Sequence, residues 1–534
     1  MLTKPISHSQ EEKVLVNHSR FYIPTNSFMA NAAKKTVRKT AKKISKNTKS
    51  KSNAVLESVK IRMYRAGTGD CFLLQFQSNG KTTRNVMIDC GCIRGGRNDF
   101  EPMVEDIRSI TNDEIDILIV THEHADHING FASVSDLFDK IRFKKVWFAW
   151  TEDETDDLAN DLRKNHTKIK LALQAASTRL TGLIKSKHYE NRWTDDFQSA
   201  LMVESKKHFI NSLSQLNALN FNNTLGVNKK IPSMVELFEK FNVIKADTEV
   251  ECLRPGELIK NISALPGLRV FVLGPPRDME LLDTTEEHGE SYEKREKASS
   301  RDFAFAAAML NDGQGTSILP FEPEFEMQSD GIKTRYETKD TWRQIENDWL
   351  YTAGSIALRY QRSINNTSLV LAFQFEESER VLLFPGDAEF GNWKSWHDGL
   401  SWSIPVNGKN KKVNAEYLLN NTVFYKVGHH CSHNGSASTL GVEMMTHEDL
   451  TVMAPLSFKK INTGWLNTMP NDILCANLIS KAKGKMYFSG DYRQILPNIK
   501  TKRVTVTKTN EEKLVNLNKE YDGSHFIECE VSGK

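Results

Sequence analysis

Ile117-Leu118-Ile119-Val120-Thr121-His122-Glu123-His124-Ala125-Asp126-His127 is an apolar run that turns abruptly into three imidazoles and two carboxylates. So many titratable groups make a poor core and a good site for divalent metal. Imidazole nitrogen and carboxylate oxygen are ligands that borderline and hard cations prefer. The apolar run reads as a buried strand, whose end leaves open positions for water. Alternate residues of an extended chain face one side. His122 and His124 can therefore share one ion, while the following turn carries Asp126 and His127 toward a second.

The 534 residues, 39% hydrophobic and 9% aromatic, suit a soluble globular protein with a sizeable core. Length alone allows roughly two to four domains. No apolar stretch approaches the roughly 18–20 residues of a spanning helix, so no membrane association is expected. Residues 1–16 lack an uninterrupted apolar segment of the secretory kind. The seven cysteines, at 71, 90, 92, 252, 431, 475 and 529, are odd in number and scattered. That pattern suits reduced thiols and a cytoplasmic setting. Cys90-Gly91-Cys92 is too tight for the usual zinc spacing and reads as packing around a turn.

The net charge of +3 hides an asymmetry, because residues 31–53 hold nine Lys and Arg and no acid. Taking those nine from +3 leaves −6 for the remainder. In a helix the pairs Lys34-Lys35, Arg38-Lys39 and Lys42-Lys43 would gather on one side. The run 34–51 is either an arm for nucleic acid or an acidic partner, or a solvated leader without a specific role. No aromatic interleaves it, so base stacking is not indicated.

Residues 1–57 form this N-terminal arm, disordered or helical. From 58 to 150 short strands alternate with turns: Val59–Tyr64, Cys71–Phe76, the hairpin signal Asn79-Gly80, and Asn85–Asp89. A helix is expected over Phe100–Ile110, then the strand Ile117–Val120, then another at Lys145–Trp150. Residues 151–265 read as a charged, helical insertion, with helix-like spacing at Leu158–Arg163, Ile169–Leu183 and Ser199–Leu216. Residues 266–534 resume strand character. They include an irregular loop over 277–339, acidic at Glu286–Glu296, and a helix over Asp348–Gln361. Two further strands end in ligand-type residues, Val381–Phe384 before Gly386-Asp387-Ala388-Glu389 and Val423–Val427 before Gly428-His429-His430. Ligand sites of layered α/β folds lie at such strand ends. Leu450–Leu456, Lys485–Gly490, Lys500–Lys508 and His525–Val531 read as strands, and Asp472–Lys481 as a helix. Asp491 reads as a turn aspartate.

Together these motifs resemble the metallo-β-lactamase fold superfamily and, within it, the ComEC-like branch. The resemblance rests on Gly69-Asp70, Ile88-Asp89-Cys90-Gly91, His122-x-His124-x-Asp126-His127, Asn366-Thr367-Ser368-Leu369, Gly386-Asp387-Ala388-Glu389 and Lys426-Val427-Gly428-His429-His430. It implies an α/β fold, a four-layer αβ/βα sandwich, interrupted by the helical insertion and preceded by the basic arm. It further implies two divalent ions, Zn²⁺ or Mn²⁺. His122 and His124 would hold the first, Asp126, His127 and His429 the second, and Asp387 would bridge them. His430 would face the substrate, with Glu389 nearby. His433 would be a loop residue. Many superfamily members add a further histidine to the first ion. Here the corresponding strand ends in Gly274-Pro275-Pro276, as in the ComEC-like branch, which generally lacks that ligand. Cys431 stands where that branch usually has glycine.

The implied activity is hydrolysis, with Asp126 orienting a water and accepting its proton and His430 stabilising charge or assisting the leaving group. A nuclease or phosphodiesterase is favoured, since the branch is associated with phosphate-ester chemistry and the basic arm would attract a polyanion. Two alternatives stand beside it. One is a small-molecule hydrolase acting on a cyclic nucleotide, phosphate ester or lactone. The other is a component of a bacterial multi-protein system, such as anti-phage defence, activated by a protein partner docked on the helical insertion.

Overall fold

The computed structural model describes residues 55–169, 233–291, 363–406, 408–459, 469–499, 501 and 503–534. The basic run 34–51, the helical readings of 170–183, 199–216 and 348–361, and the loop from 292 to 339 lie outside these residues.

Two seven-stranded sheets form the frame. The first contains β1 (Ser58–Tyr64), β2 (Phe72–Ser78), β3 (Lys81–Ile88), β4 (Glu114–Ile119), β5 (Arg142–Ala149) and β6 (Glu249–Leu253). The second contains β7 (Leu258–Ile259), β8 (Leu268–Gly274), β9 (Val370–Phe375) and β10 (Val381–Phe384). A separate hairpin, β11 (Trp402–Val406) and β12 (Lys409–Val413), intervenes before β13 (Thr422–Lys426), β14 (Thr451–Ala454) and β15 (Met486–Phe488) complete the second sheet. Finally β16 (Phe526–Ser532) returns to pair with β1, so the orders are β16-β1-β2-β3-β4-β5-β6 and β15-β14-β13-β10-β9-β8-β7.

Period-two alternation divides the side chains between cores. Phe72, Leu74 and Phe76 of β2 meet Val270, Val272, Leu371 and Phe373 in the layer between the sheets. Phe72 packs edge-on against Phe384 at 5.9 Å across that layer. The intervening Phe271, Leu273, Val370 and Ala372 face outward into a second core. Helices Phe390–His397, Ala415–Asn420 and Asp472–Lys481 cover it with Trp393, Trp396, Leu418, Leu474 and Leu478. On the other side α1 (Arg97–Thr111) buries Phe100, Met103, Val104 and Ile107, the i, i+3, i+4, i+7 set of an amphipathic helix. It packs there with α2 (Ala125–Ser133). Helix, sheet, sheet, helix: the four layers are those of the expected sandwich.

Three local expectations change. Glu249–Leu253 and Leu258–Ile259, within the stretch read as helical, are strands, and β6 runs parallel to β5. Glu-Val-Glu-Cys-Leu is too short an alternation to stand out among charged neighbours. The strand read over Lys500–Lys508 is absent among the described residues, where a helix begins at Lys508 capped by the Thr507 side chain. Asp491 also caps a helix, accepting from the Arg493 amide. No described helix is long and apolar enough to cross a membrane.

Candidate metal centre

β3, β4, β10 and β13 all end at one edge of the sandwich, and β9 begins there. The backbone joins the two sheets at this edge, where Leu369 N–H donates to Thr121 O at 2.9 Å. His124 is the N-cap of α2, so Asp126 and His127 occupy that helix's first turn. The loop 89–92 lies directly against that turn. A Cβ on Gly91 would come within 2.3 Å of the Asp126 carbonyl carbon, so only glycine allows the approach. Asp387 follows Gly386, whose φ of +59° suits glycine. His429, His430 and Cys431 then adopt three successive left-handed conformations, φ +45°, +51° and +66°. Non-glycine residues hold such a turn only under constraint from their surroundings.

The strained turn parts the two adjacent histidines. His430 is buried, and its Nδ1 lies 3.0 Å from Pro455 O. A carbonyl only accepts, so Nδ1 carries the proton and Nε2 faces inward, 3.0 Å from Asp126 Oδ2 and 3.2 Å from Asp387 Oδ2. His127 is fixed in the same manner. Its Nδ1 donates to Asp89 Oδ2 at 2.7 Å, leaving Nε2 3.1 Å from Asp387 Oδ2. Asp89 also accepts from the Thr121 amide and hydroxyl at 2.8 and 2.6 Å. Such outer contacts orient a metal-binding imidazole. His429 points elsewhere, with its side chain 24% exposed, Nε2 3.3 Å from Asn365 Nδ2 and Nδ1 3.5 Å from Glu389 Oε1.

Asp70, His127, Asp387 and His430 offer ligand atoms all within 4.8 Å of one another, and all four residues are buried. Beside them His122 Nε2 lies 3.1 Å from His124 Nδ1, and the His122 and His127 rings are 4.1 Å apart. His122, His124, Asp126, His127 and Asp387, all expected as ligands from the sequence, converge. His429 was expected at the second ion, whereas the closely spaced group contains His430. His433 is a buried loop residue 3.1 Å from Glu286 Oε1. Asp70 and Lys426 went unread as site residues. Their signals were a charged residue after Gly67-Thr68-Gly69 and a lone lysine in the apolar strand Val423-Phe424-Tyr425-Lys426-Val427.

Burial lowers the basicity of His122 well below the usual range, and neighbouring His127 and His124 lower it further. For His430 burial also acts downward, but the Asp387 and Asp126 carboxylates prevail and lift it to about 9. Burial raises Asp126, yet the hydrogen bond from His430 and the charges around it bring it to about 2.

Divalent metal fits these residues. Asp70 Oδ1, Asp126 Oδ1, His124 Nε2 and His127 Nε2 are buried without a hydrogen-bond partner. Four orphaned polar atoms at one edge are costly unless something binds them, and the donor set is the His/Asp chemistry of zinc or manganese.

Residues 64–159 match the metallo-beta-lactamase superfamily. The match spans β2 to β5 and contains the whole histidine run. The two-sheet α/β sandwich is the architecture of that superfamily, whose members are generally hydrolases and typically bind divalent metals. The match reaches the superfamily and singles out no branch of it. No curated protein and no solved structure matched the chain.

Proposed function

We propose that this chain is a metal-dependent hydrolase acting on phosphodiesters, a nuclease or phosphodiesterase of ComEC-like type. The observation that carries the metal-dependent part is the buried Asp70/His127/Asp387/His430 group beside His122 and His124. In this reading His122 and His124 would hold one ion, Asp126, His127 and His430 would hold the other, and Asp387 would be available to both. His430 thus takes the ligand role first read for His429. His429 turns instead toward substrate with Glu389, whose Oε1 accepts from Asn365 Nδ2 at 2.9 Å.

When bound, divalent ions supply Lewis acidity toward a phosphoryl oxygen and make water a nucleophile near neutral pH. The protein's part is orientation. Asp89 and Pro455 O fix the tautomers of His127 and His430, and Asp126 is a carboxylate positioned to take a proton. His429, partly exposed at the rim, is available to a leaving group or a substrate oxygen. The nine cations of residues 31–53 support a polyanionic substrate, whose local concentration they would raise. Residues 151–265 are where we propose a protein partner docks, as for the effector of a bacterial defence system.

The test is hydrolysis of single- and double-stranded DNA, RNA and bis-p-nitrophenyl phosphate by Mn²⁺- or Zn²⁺-loaded protein. The Asp126→Ala/His127→Ala double variant is run beside it. Polymer cleavage lost in the variant is the expected result. Cleavage of the small ester alone would replace the nuclease reading with a compact phosphodiester substrate. A metal-loaded protein inert on all of them would overturn stand-alone phosphodiester hydrolysis.

A further inference from the structure

Lys426 is the last residue of β13, and it is only 1% exposed although it carries an ammonium. Its three N–H donors meet three acceptors: Asp70 Oδ2 at 2.6 Å, Gly386 O at 2.7 Å and Asp387 Oδ1 at 3.1 Å. A buried ammonium so completely satisfied has one orientation.

The ammonium divides each carboxylate it touches. Asp387 Oδ1 accepts from Lys426 and also from the His429 amide at 3.1 Å, so that oxygen is taken. Oδ2 is left to face His127 Nε2 and His430 Nε2 at 3.1 and 3.2 Å. Asp70 behaves alike. Its Oδ2 belongs to Lys426, while Oδ1 is buried without a hydrogen bond and lies 3.8 Å from His430 Nδ1. Charge points the same way. Asp70, Asp126 and Asp387 crowd one buried space, where like charges repel strongly and one fixed cation offsets part of that repulsion.

We propose that Lys426 is a positioning residue, a built-in cation that holds one oxygen of Asp70 and one of Asp387, leaves Asp387 Oδ2 to the metal centre, and keeps that centre folded when no divalent ion is present. The proposal rests on the metal-centre reading above. It has a consequence that a packing role lacks. Without Lys426 the carboxylates lose their one permanent protein cation, so folding leans more heavily on metal.

Thermal unfolding of the full chain, chelated and then titrated with Mn²⁺, is the test, with metal content measured by elemental analysis. Chelated Lys426→Met is expected to melt about 3–5 °C below chelated wild type, because it strands buried carboxylates. Mn²⁺ should raise the melting temperature of Lys426→Met at least about twice as far as that of wild type, since the metal now replaces the missing charge. The double variant Asp70→Asn/Lys426→Met removes one charge of each sign and should regain most of the loss in chelator. Equal Mn²⁺-induced rises in wild type and Lys426→Met would overturn the proposal. So would a double variant no more stable than the single one. If Lys426→Met yields no soluble protein, recovery of folded protein in the double variant supports the charge role, and its failure overturns it. Failure of the metal reading looks different, because wild type itself would then take up no ion and show no rise.

Discussion

The two halves of the centre are built in opposite ways. His122 and His124 come from one continuous stretch at the end of β4, and their rings touch each other rather than a carboxylate. Asp70, His127, Asp387 and His430 come from four separate segments and interlock acid with base. The first half is a pair of neutral imidazoles that burial keeps neutral. In the second, His127 and His430 are held as proton-binding partners of carboxylates, and Lys426 adds a permanent charge. A stretch of sequence can supply ligand types, but only a fold supplies their charge balance.

Removing Asp387, which we propose stands between the halves, should do most damage. Asp387→Ala is expected to reduce hydrolysis at least ~10³-fold and to lower metal content across the centre, read by elemental analysis. Full metal content in that variant would break the picture of a joined centre. The neighbouring histidines sharpen it next. His430→Ala should cost ~10²-fold or more in turnover and lose bound metal, whereas His429→Ala should keep its metal and lose under ~10-fold. The opposite order would return the ligand role to His429.

Glu152, just beyond β5, tests the electrostatics around the histidine run. Burial and the Glu123 charge raise its carboxyl from the ordinary 4.5 to about 7, although the Met234 amide donates to it at 3.0 Å. In the folded chain it therefore keeps a proton that the unfolded chain releases. Its contribution is fully present below about pH 4.5, falls as pH rises to about 7, and is gone above. Urea denaturation of Glu152→Gln at pH 5 and pH 8 should lack this fall, a difference of about 3 kcal/mol. An unchanged pH dependence would place the slope elsewhere. Asp89→Asn weakens the grip on the His127 ring, a milder change than loss of Asp387 or His430. Metal affinity should drop ~10–100-fold in a chelator competition, with the fold intact. Undiminished affinity would show that His127 needs no such support.

These differences explain what could be read from the chain alone. The alternation of strands and helices was legible because apolar runs of strand length end repeatedly in ligand-type residues and Phe100–Ile110 carries a helical stripe, whereas the four-layer sandwich followed from the family resemblance of those motifs. The histidine run was legible because His122, His124, Asp126 and His127 are adjacent. The parting of His429 from His430 was hidden, since three left-handed residues in succession reverse the direction a regular strand end would give. Asp70 and Lys426 were hidden because their meaning lies in each other, across 356 positions of sequence. β6 escaped notice because its stability comes from pairing with β5 rather than from its own alternation.

The pairing of β1 with β16 bears on how the protein is made. Ser58 Oγ reaches Glu530 Oε1 at 3.1 Å, although 472 positions separate them. At roughly 5–20 residues per second, synthesis takes on the order of half a minute to a minute and a half to bring the partner strand within reach. Until then the outer edge of β1 stands open to any other extended chain. Overproduction at high temperature should favour inclusion bodies, and slower synthesis in the cold should favour the native sheet.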